Sequence, residues 1–199
     1  MQLMSNAETF KHTLVIGFTQ TRQWYEAGGA FAARGDSWAL LWANGGGVDR
    51  WREPDFEGWT ESPVTADASS GYEPDRVLLT ISGPYGDDRA GWAAAIGETI
   101  VAIRAKYASV RQIVLQPIVG GPANAPCPNP GGSGNVRASS LHPIIDEAIA
   151  MVAGGDVVAG YSPEVRSCGD YANATGHLTP EGAAAVGRAI AAYYGADLE

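Results

Sequence analysis

The sequence predicts an α/β fold: a three-layer α/β/α sandwich around a five-stranded parallel sheet of flavodoxin-like type. Two observations carry this. Five short apolar runs alternate with segments of helical character, and such alternation builds parallel sheets covered on both faces. The first run, Thr13-Leu-Val-Ile-Gly17, breaks sharply into polar residues with helical potential, as where a buried strand turns into a helix at the carboxyl edge of an open sheet.

Taken in order, the segment from Thr21 to about Ala33 carries Trp24, Tyr25, Ala30 and Phe31 at mixed helical spacing and predicts a helix weakened by Gly28-Gly29. Ser37–Trp42 predicts the second strand, closed by Asn44-Gly-Gly-Gly47, where the backbone must approach a neighbour closely or take positive φ. Residues 48–74 show no clear period and read as loop with short helical pieces. Arg76–Ser82 predicts the third strand, and Asp88 to about Tyr107 a helix with an acidic first turn and a stripe of Trp92, Ala95, Ile96, Ile100 and Ile103. Arg111–Val119 predicts the fourth strand, followed by a Gly/Pro/Asn loop to about Ala138. The next helix is capped by Ser139 or Ser140 and stops at Gly154-Gly155. Asp156–Gly160 is the fifth strand, and Thr179-Pro-Glu-Gly opens the last helix with a capping Thr and Pro at its first position. Ligands in such sheets bind beyond the strands' carboxyl ends, which singles out loops 18–21, 43–48, 83–88, 120–137 and 161–178.

Length and composition bound the function. A chain of 199 residues suffices for a single domain spanning 1–199, and 45% hydrophobic against 18% charged residues is ordinary for a soluble globular protein without a membrane span. The net charge of −9, with no cluster of Lys and Arg, argues against nucleic acid or an anionic membrane as partner, and does not exclude a small-molecule or carbohydrate substrate, even an acidic sugar bound at a local Arg. Met1–Ala7 lacks the basic and apolar regions of a secretory signal, so the chain is either cytoplasmic or stripped of its signal. Cys127 and Cys168 sit in loop-like surroundings; paired, they imply an exported protein, and unpaired, a cytoplasmic one. No phosphate loop, Gly-x-Gly-x-x-Gly, Gly-x-Ser-x-Gly or His-x-x-x-His occurs, so neither a nucleotide cofactor nor a catalytic metal is expected.

The chemistry-bearing candidates lie at the two ends of the chain. His177 precedes the last helix in a Gly/Asn-rich loop, where it can meet Thr19 beyond the first strand and exchange a proton with it near neutral pH. His142, before Pro143, and His12 read as structural. Here the chain resembles the SGNH or GDSL hydrolase family. Gly17-Phe-Thr-Gln-Thr21 is similar to that family's Gly-Asp-Ser-x-Thr turn, Asn44–Gly47 to its oxyanion-glycine segment, Gly83-Pro-Tyr-Gly-Asp87 to its Gly-x-Asn-Asp segment, and Gly176-His-Leu-Thr-Pro-Glu-Gly182 to its terminal His signature. The resemblance implies strand order 2-1-3-4-5 and ester hydrolysis, commonly on acylated carbohydrates or lipids. It also implies roles: Thr19 as nucleophile, His177 as base and then acid, and the Thr19 and Gly46 N–H groups with Tyr85 at the oxyanion. The departures are Thr19 for the nucleophilic Ser, Tyr85 for the oxyanion Asn, and Ala174 for the triad Asp. Asp170, Asn173 or a backbone carbonyl remain to orient the imidazole.

Two other chemistries fit the same residues. Tyr85 and His177 beside Arg22 are what β-elimination from a uronic acid needs, and Asp87 with Asp88 would form a carboxylate pair for glycoside cleavage. A non-catalytic carbohydrate-binding protein would use Trp24, Trp51 and Trp59 as stacking surfaces.

Overall fold

The computed structural model describes residues 10–64 and 72–196. Met1–Ala7 and the central part of the 48–74 segment, residues 65–71, lie outside the described residues. Five strands, β1 (Thr13–Gly17), β2 (Trp38–Trp42), β3 (Arg76–Ile81), β4 (Gln112–Pro117) and β5 (Val157–Ala159), form one sheet in the order β2-β1-β3-β4-β5, every pair parallel. β1 is buried at all five positions and β3 at five of six, as expected for strands covered on both sides.

The helices are α1 (Thr19–Glu26), α2 (Val48–Trp51), α3 (Arg89–Lys106), α4 (Arg137–Val152) and α5 (Pro180–Tyr193). α1 packs on α5, and α3 packs between α2 and α4. The chain moves one way from β1 to β2 and the other way from β3 to β5, so right-handed crossovers put these two sets on opposite faces. The same reversal parts the loops after β1 and β3 and leaves a crevice between them.

Local chemistry explains the boundaries. α1 ends at Glu26 because Gly28 and Gly29 both take positive φ, so the helix expected to reach Ala33 is cut short and a 3-10 turn, Ala32–Ser37, follows. α3 starts where Asp88 accepts from Gly91 N, and α5 where Thr179 accepts from Gly182 N. α4 begins earlier than expected, at Arg137, because Ser139 does not cap it: its hydroxyl donates to Val136 O and accepts from Cys127 N, tying the helix to the preceding loop. The segment from 48 carries α2 and a 3-10 turn, Glu57–Thr60.

The core is strongly aromatic. Trp24, Trp51, Trp92 and Phe31 are fully buried, and Tyr25 stacks on Phe31 at 4.7 Å between ring centres. Truncating any one of these large rings to Ala would cost about 3–5 kcal/mol. Cys127 and Cys168 form a disulfide that joins the loop after β4 to the segment leading to His177. No helix among the described residues is long and apolar enough to cross a membrane.

Candidate active site

The β1–α1 turn determines where Thr19 stands. Gly17 sits between the hydroxyls of Thr21 and Thr80, and a Cβ there would collide with both. Thr21 Oγ1 and Thr80 Oγ1 lie 2.6 Å apart, Thr80 also donates to Ile16 O, and Phe18 N donates to Thr21 Oγ1. Thr19 then opens α1 at the sheet edge, so its N–H and that of Gln20 lack helical acceptors. Its hydroxyl donates to Asn44 Oδ1 at 3.1 Å, and both residues line the crevice.

The segment bearing His177 is carried to the same place. Gln20, 2% exposed, donates to Gly176 O at 2.6 Å and accepts from Val119 N at 2.9 Å, so one buried amide joins three loops. Gln23 accepts from Leu178 N, and Arg137 binds on both sides, its N–H to Ala174 O and its guanidinium to Gly83 O. Gly176 takes φ +103°, and a Cβ there would strike Ala138. The result is a cleft of about 260 Å³ whose walls include Thr19, Asn44, Gly45, Ser82, Arg137 and His177. A wider apolar groove of about 460 Å³ between Arg52, Trp59 and α3 contains no comparable pair of hydroxyl and imidazole.

The orientation of the imidazole is set by Asn173. Asn173 Oδ1 accepts from the backbone N–H groups of Thr175, Gly176 and His177, which are donors only, so the atom turned to the ring must be the amide nitrogen. That nitrogen lies 3.0 Å from His177 Nδ1. Nδ1 therefore accepts, and the neutral ring carries its proton on Nε2. This is the opposite of the tautomer that a triad carboxylate would impose.

The other expected residues are distributed differently. Asp170 does not meet His177: its carboxylate accepts from Arg166 N and Ser167 N, capping a short turn. Tyr85 does not line the cleft. Its ring packs against Trp92 at 5.1 Å, and its hydroxyl is pushed above its ordinary pKa by burial and by Asp49, Glu98 and Glu53, with Arg52 opposing. The uronate-lyase arrangement thus lacks its Tyr–His pair. Arg22 pairs with Glu26 and lies over Trp42 at 4.6 Å, outside the cleft. Asp88 is a helix cap and Asp87 is exposed beside it, so the two form no facing carboxylate pair. Gly46 directs its N–H to Ala43 O, and of the three glycines 45–47 it is Gly45 that lines the cleft. Trp24 and Trp51 are at most 1% exposed and offer no stacking face, and Trp59, 5% exposed, reaches only the wall of the Arg52 groove. Trp51 instead donates to Gly46 O and Gly17 O, holding the turns after β1 and β2 together from beneath. Among the described residues no group of three or more His, Cys, Asp or Glu side chains is placed to hold a metal.

Sequence reasoning missed Gln20, Arg137 and Gly45. Gln20 carries no motif, and its partners lie 156 and 99 residues away. Arg137 reads as the start of a helix. Gly45 was indistinguishable from its neighbours in a run of three glycines.

No family model matches the sequence, and none of the curated proteins matches it. Among solved structures the chain is similar to a family two carbohydrate esterase from Cellvibrio japonicus, with a TM-score of 0.51 and 16% identity over 92% of this chain and 60% of that one. It is also similar to the salicylyl-acyltransferase SsfX3 from a tetracycline biosynthetic pathway, with a TM-score of 0.48 and 17% identity over 96% of this chain and 56% of that one. The chain thus spans less than two thirds of either protein's length. What it shares with the carbohydrate esterase is the fold, a five-stranded parallel sheet flanked by helices.

Proposed function

We propose that the Thr19–His177 cleft is the active site of an SGNH-like hydrolase that cleaves an ester on a carbohydrate or related small polar substrate. The observation that carries this reading is the convergence of Thr19 and His177, 158 positions apart in the numbering (177 − 19), on one cleft at the sheet's switch point. The fold shared with a carbohydrate esterase supports the same substrate class.

In the proposed reaction Thr19 Oγ forms a bond to the ester carbonyl carbon while its proton passes to the His177 ring. The carbonyl electron pair moves onto oxygen, where the N–H groups of Thr19 and Gly45 hold it. Collapse breaks the bond to the alcohol, which leaves with the proton from the ring. Water then repeats the sequence on the acyl-threonine, releasing the acid. To accept the first proton at Nε2, the ring must present a lone pair there, so its own proton must move to Nδ1 against the Asn173 amide. This makes Asn173 a positioning residue that sets the rate. The disulfide supports an exported protein.

The test is hydrolysis of 4-nitrophenyl acetate by the wild type and by His177→Ala. The proposal expects turnover that this substitution removes; equal rates in both proteins would overturn it. The Asn173 orientation also favours a second reading, a carbohydrate-binding protein without turnover, which predicts no hydrolysis by either protein and retained sugar binding.

A further inference from the structure

We infer that a second pocket, at the carboxyl end of β2, is a subsite for an uncharged sugar ring. This rests on reading the neighbouring cleft as one that handles esters of carbohydrates. The pocket measures about 390 Å³ and is walled by Trp42, Asn44, Glu57, Glu61 and Ser62. Asn44 lines this pocket and the Thr19–His177 cleft alike, and its Oδ1 accepts a hydrogen bond from the Thr19 hydroxyl. A ligand seated beside Trp42 therefore reaches the residue that touches Thr19.

The chemistry of the walls selects the ligand. Trp42 is the half-buried indole of the pocket, whereas Trp24, Trp51 and Trp59 are enclosed. Arg22 covers one face of the Trp42 ring, so the apolar area that indole offers to the C–H face of a pyranose is its other face and edge. Glu57 and Glu61 are exposed carboxylates and accept hydroxyl protons in strong, charge-assisted bonds; Ser62 both donates and accepts. Among the described residues no cationic side chain lines the pocket, and Arg22, which lies over Trp42, is paired with Glu26. Two carboxylates without a free cation repel a uronate and fit a neutral polyol.

The wall is built rather than loose. Val64 and Leu40 exchange both backbone hydrogen bonds, at 3.0 and 2.7 Å, which pins the segment bearing Glu61 and Ser62 to β2. Thr60 donates to Glu57 O, and Trp59 Nε1 to Glu53 O, closing the turn that carries Glu57. The volume is near the lower end of the ~300–1,000 Å³ typical of small-ligand pockets, suited to a sugar unit.

The experiment is titration of the whole protein with cellobiose, xylobiose, chitobiose and digalacturonate, followed by calorimetry and by the indole N–H resonance of Trp42. At least one neutral disaccharide should bind and shift that resonance, and digalacturonate should bind more weakly than it. Trp42→Ala should weaken binding about tenfold. The double variant Glu57→Gln/Glu61→Gln, confined to exposed side chains, should weaken it by a similar factor and guards against misfolding of the Trp variant. Binding of no neutral sugar, tighter binding of digalacturonate, or affinity unchanged in the double variant overturns the inference. Wild-type hydrolysis of 4-nitrophenyl acetate separates the two readings: hydrolysis without sugar binding sinks the subsite alone, and sugar binding at Trp42 without hydrolysis sinks the esterase alone.

Discussion

Replacing Asn173 with Asp should turn a hindered site into a faster one. In the wild type the amide nitrogen of Asn173 faces His177 Nδ1 at 3.0 Å, so the tautomer with a lone pair at Nε2 puts N–H against N–H. Moving the proton to Nδ1 forfeits that hydrogen bond and opposes two donors, at a cost of about 1–3 kcal/mol, or roughly 5- to 150-fold in the population of the basic tautomer. Asp at 173 keeps an oxygen for the N–H groups of Thr175, Gly176 and His177 and offers a second oxygen to accept from Nδ1–H. The expected result is a rise of roughly 10- to 100-fold in kcat/KM for 4-nitrophenyl acetate, within the ~10⁴ by which the reverse exchange slows a serine-protease triad. Nitrogen NMR of the imidazole should show the proton on Nε2 in the wild type and on Nδ1 in the variant. A wild-type ring already protonated on Nδ1, or a variant with the shifted tautomer and no gain in rate, would refute the reasoning.

Three further outcomes follow from other contacts. Thr19→Ser removes a methyl group that crowds attack and should keep or raise kcat/KM by several-fold, whereas Thr19→Ala should abolish turnover; steady-state kinetics on the same ester read both. Opening the disulfide by Cys127→Ser and Cys168→Ser frees a loop with a sequence separation of 41 residues and should cost about 4 kcal/mol by chain entropy, measured by urea unfolding. His142 is fully buried with ring nitrogens on Asn124 and Ser162, and burial lowers its pKa while Asp146 and Glu164 oppose. A depressed folded pKa means that the unfolded chain binds more protons once pH falls below about 6.5, so stability is full above that value and declines below it. Thermal melts between pH 5 and 7.5 should show the decline, and His142→Gln should flatten it.

The fold was legible because its signals are local. Each strand is a short apolar run ending in Gly, Pro or a polar residue, and Asp88 and Thr179 announce their helices through side chains that cap within three residues. α4 was misjudged at its start because Ser139 bonds across the loop to Cys127, a partner its helix pattern does not reveal. That Thr19 and His177 line one cleft was legible because both follow turn chemistry at element ends; their chemical roles stay a proposal. The residues that join them were not. Gln20 reaches two loops far away in the chain, Asp170 and Tyr85 were taken by nearer partners, and aromatic content alone does not distinguish an enclosed Trp51 from a half-exposed Trp42.

The most direct test of a chemical site at Thr19 and His177 is mass spectrometry of the protein quenched during turnover of 4-nitrophenyl acetate. An acetyl group on Thr19, lost in His177→Ala, is the predicted result. Turnover without that adduct, or an adduct that persists when the imidazole is removed, would contradict it.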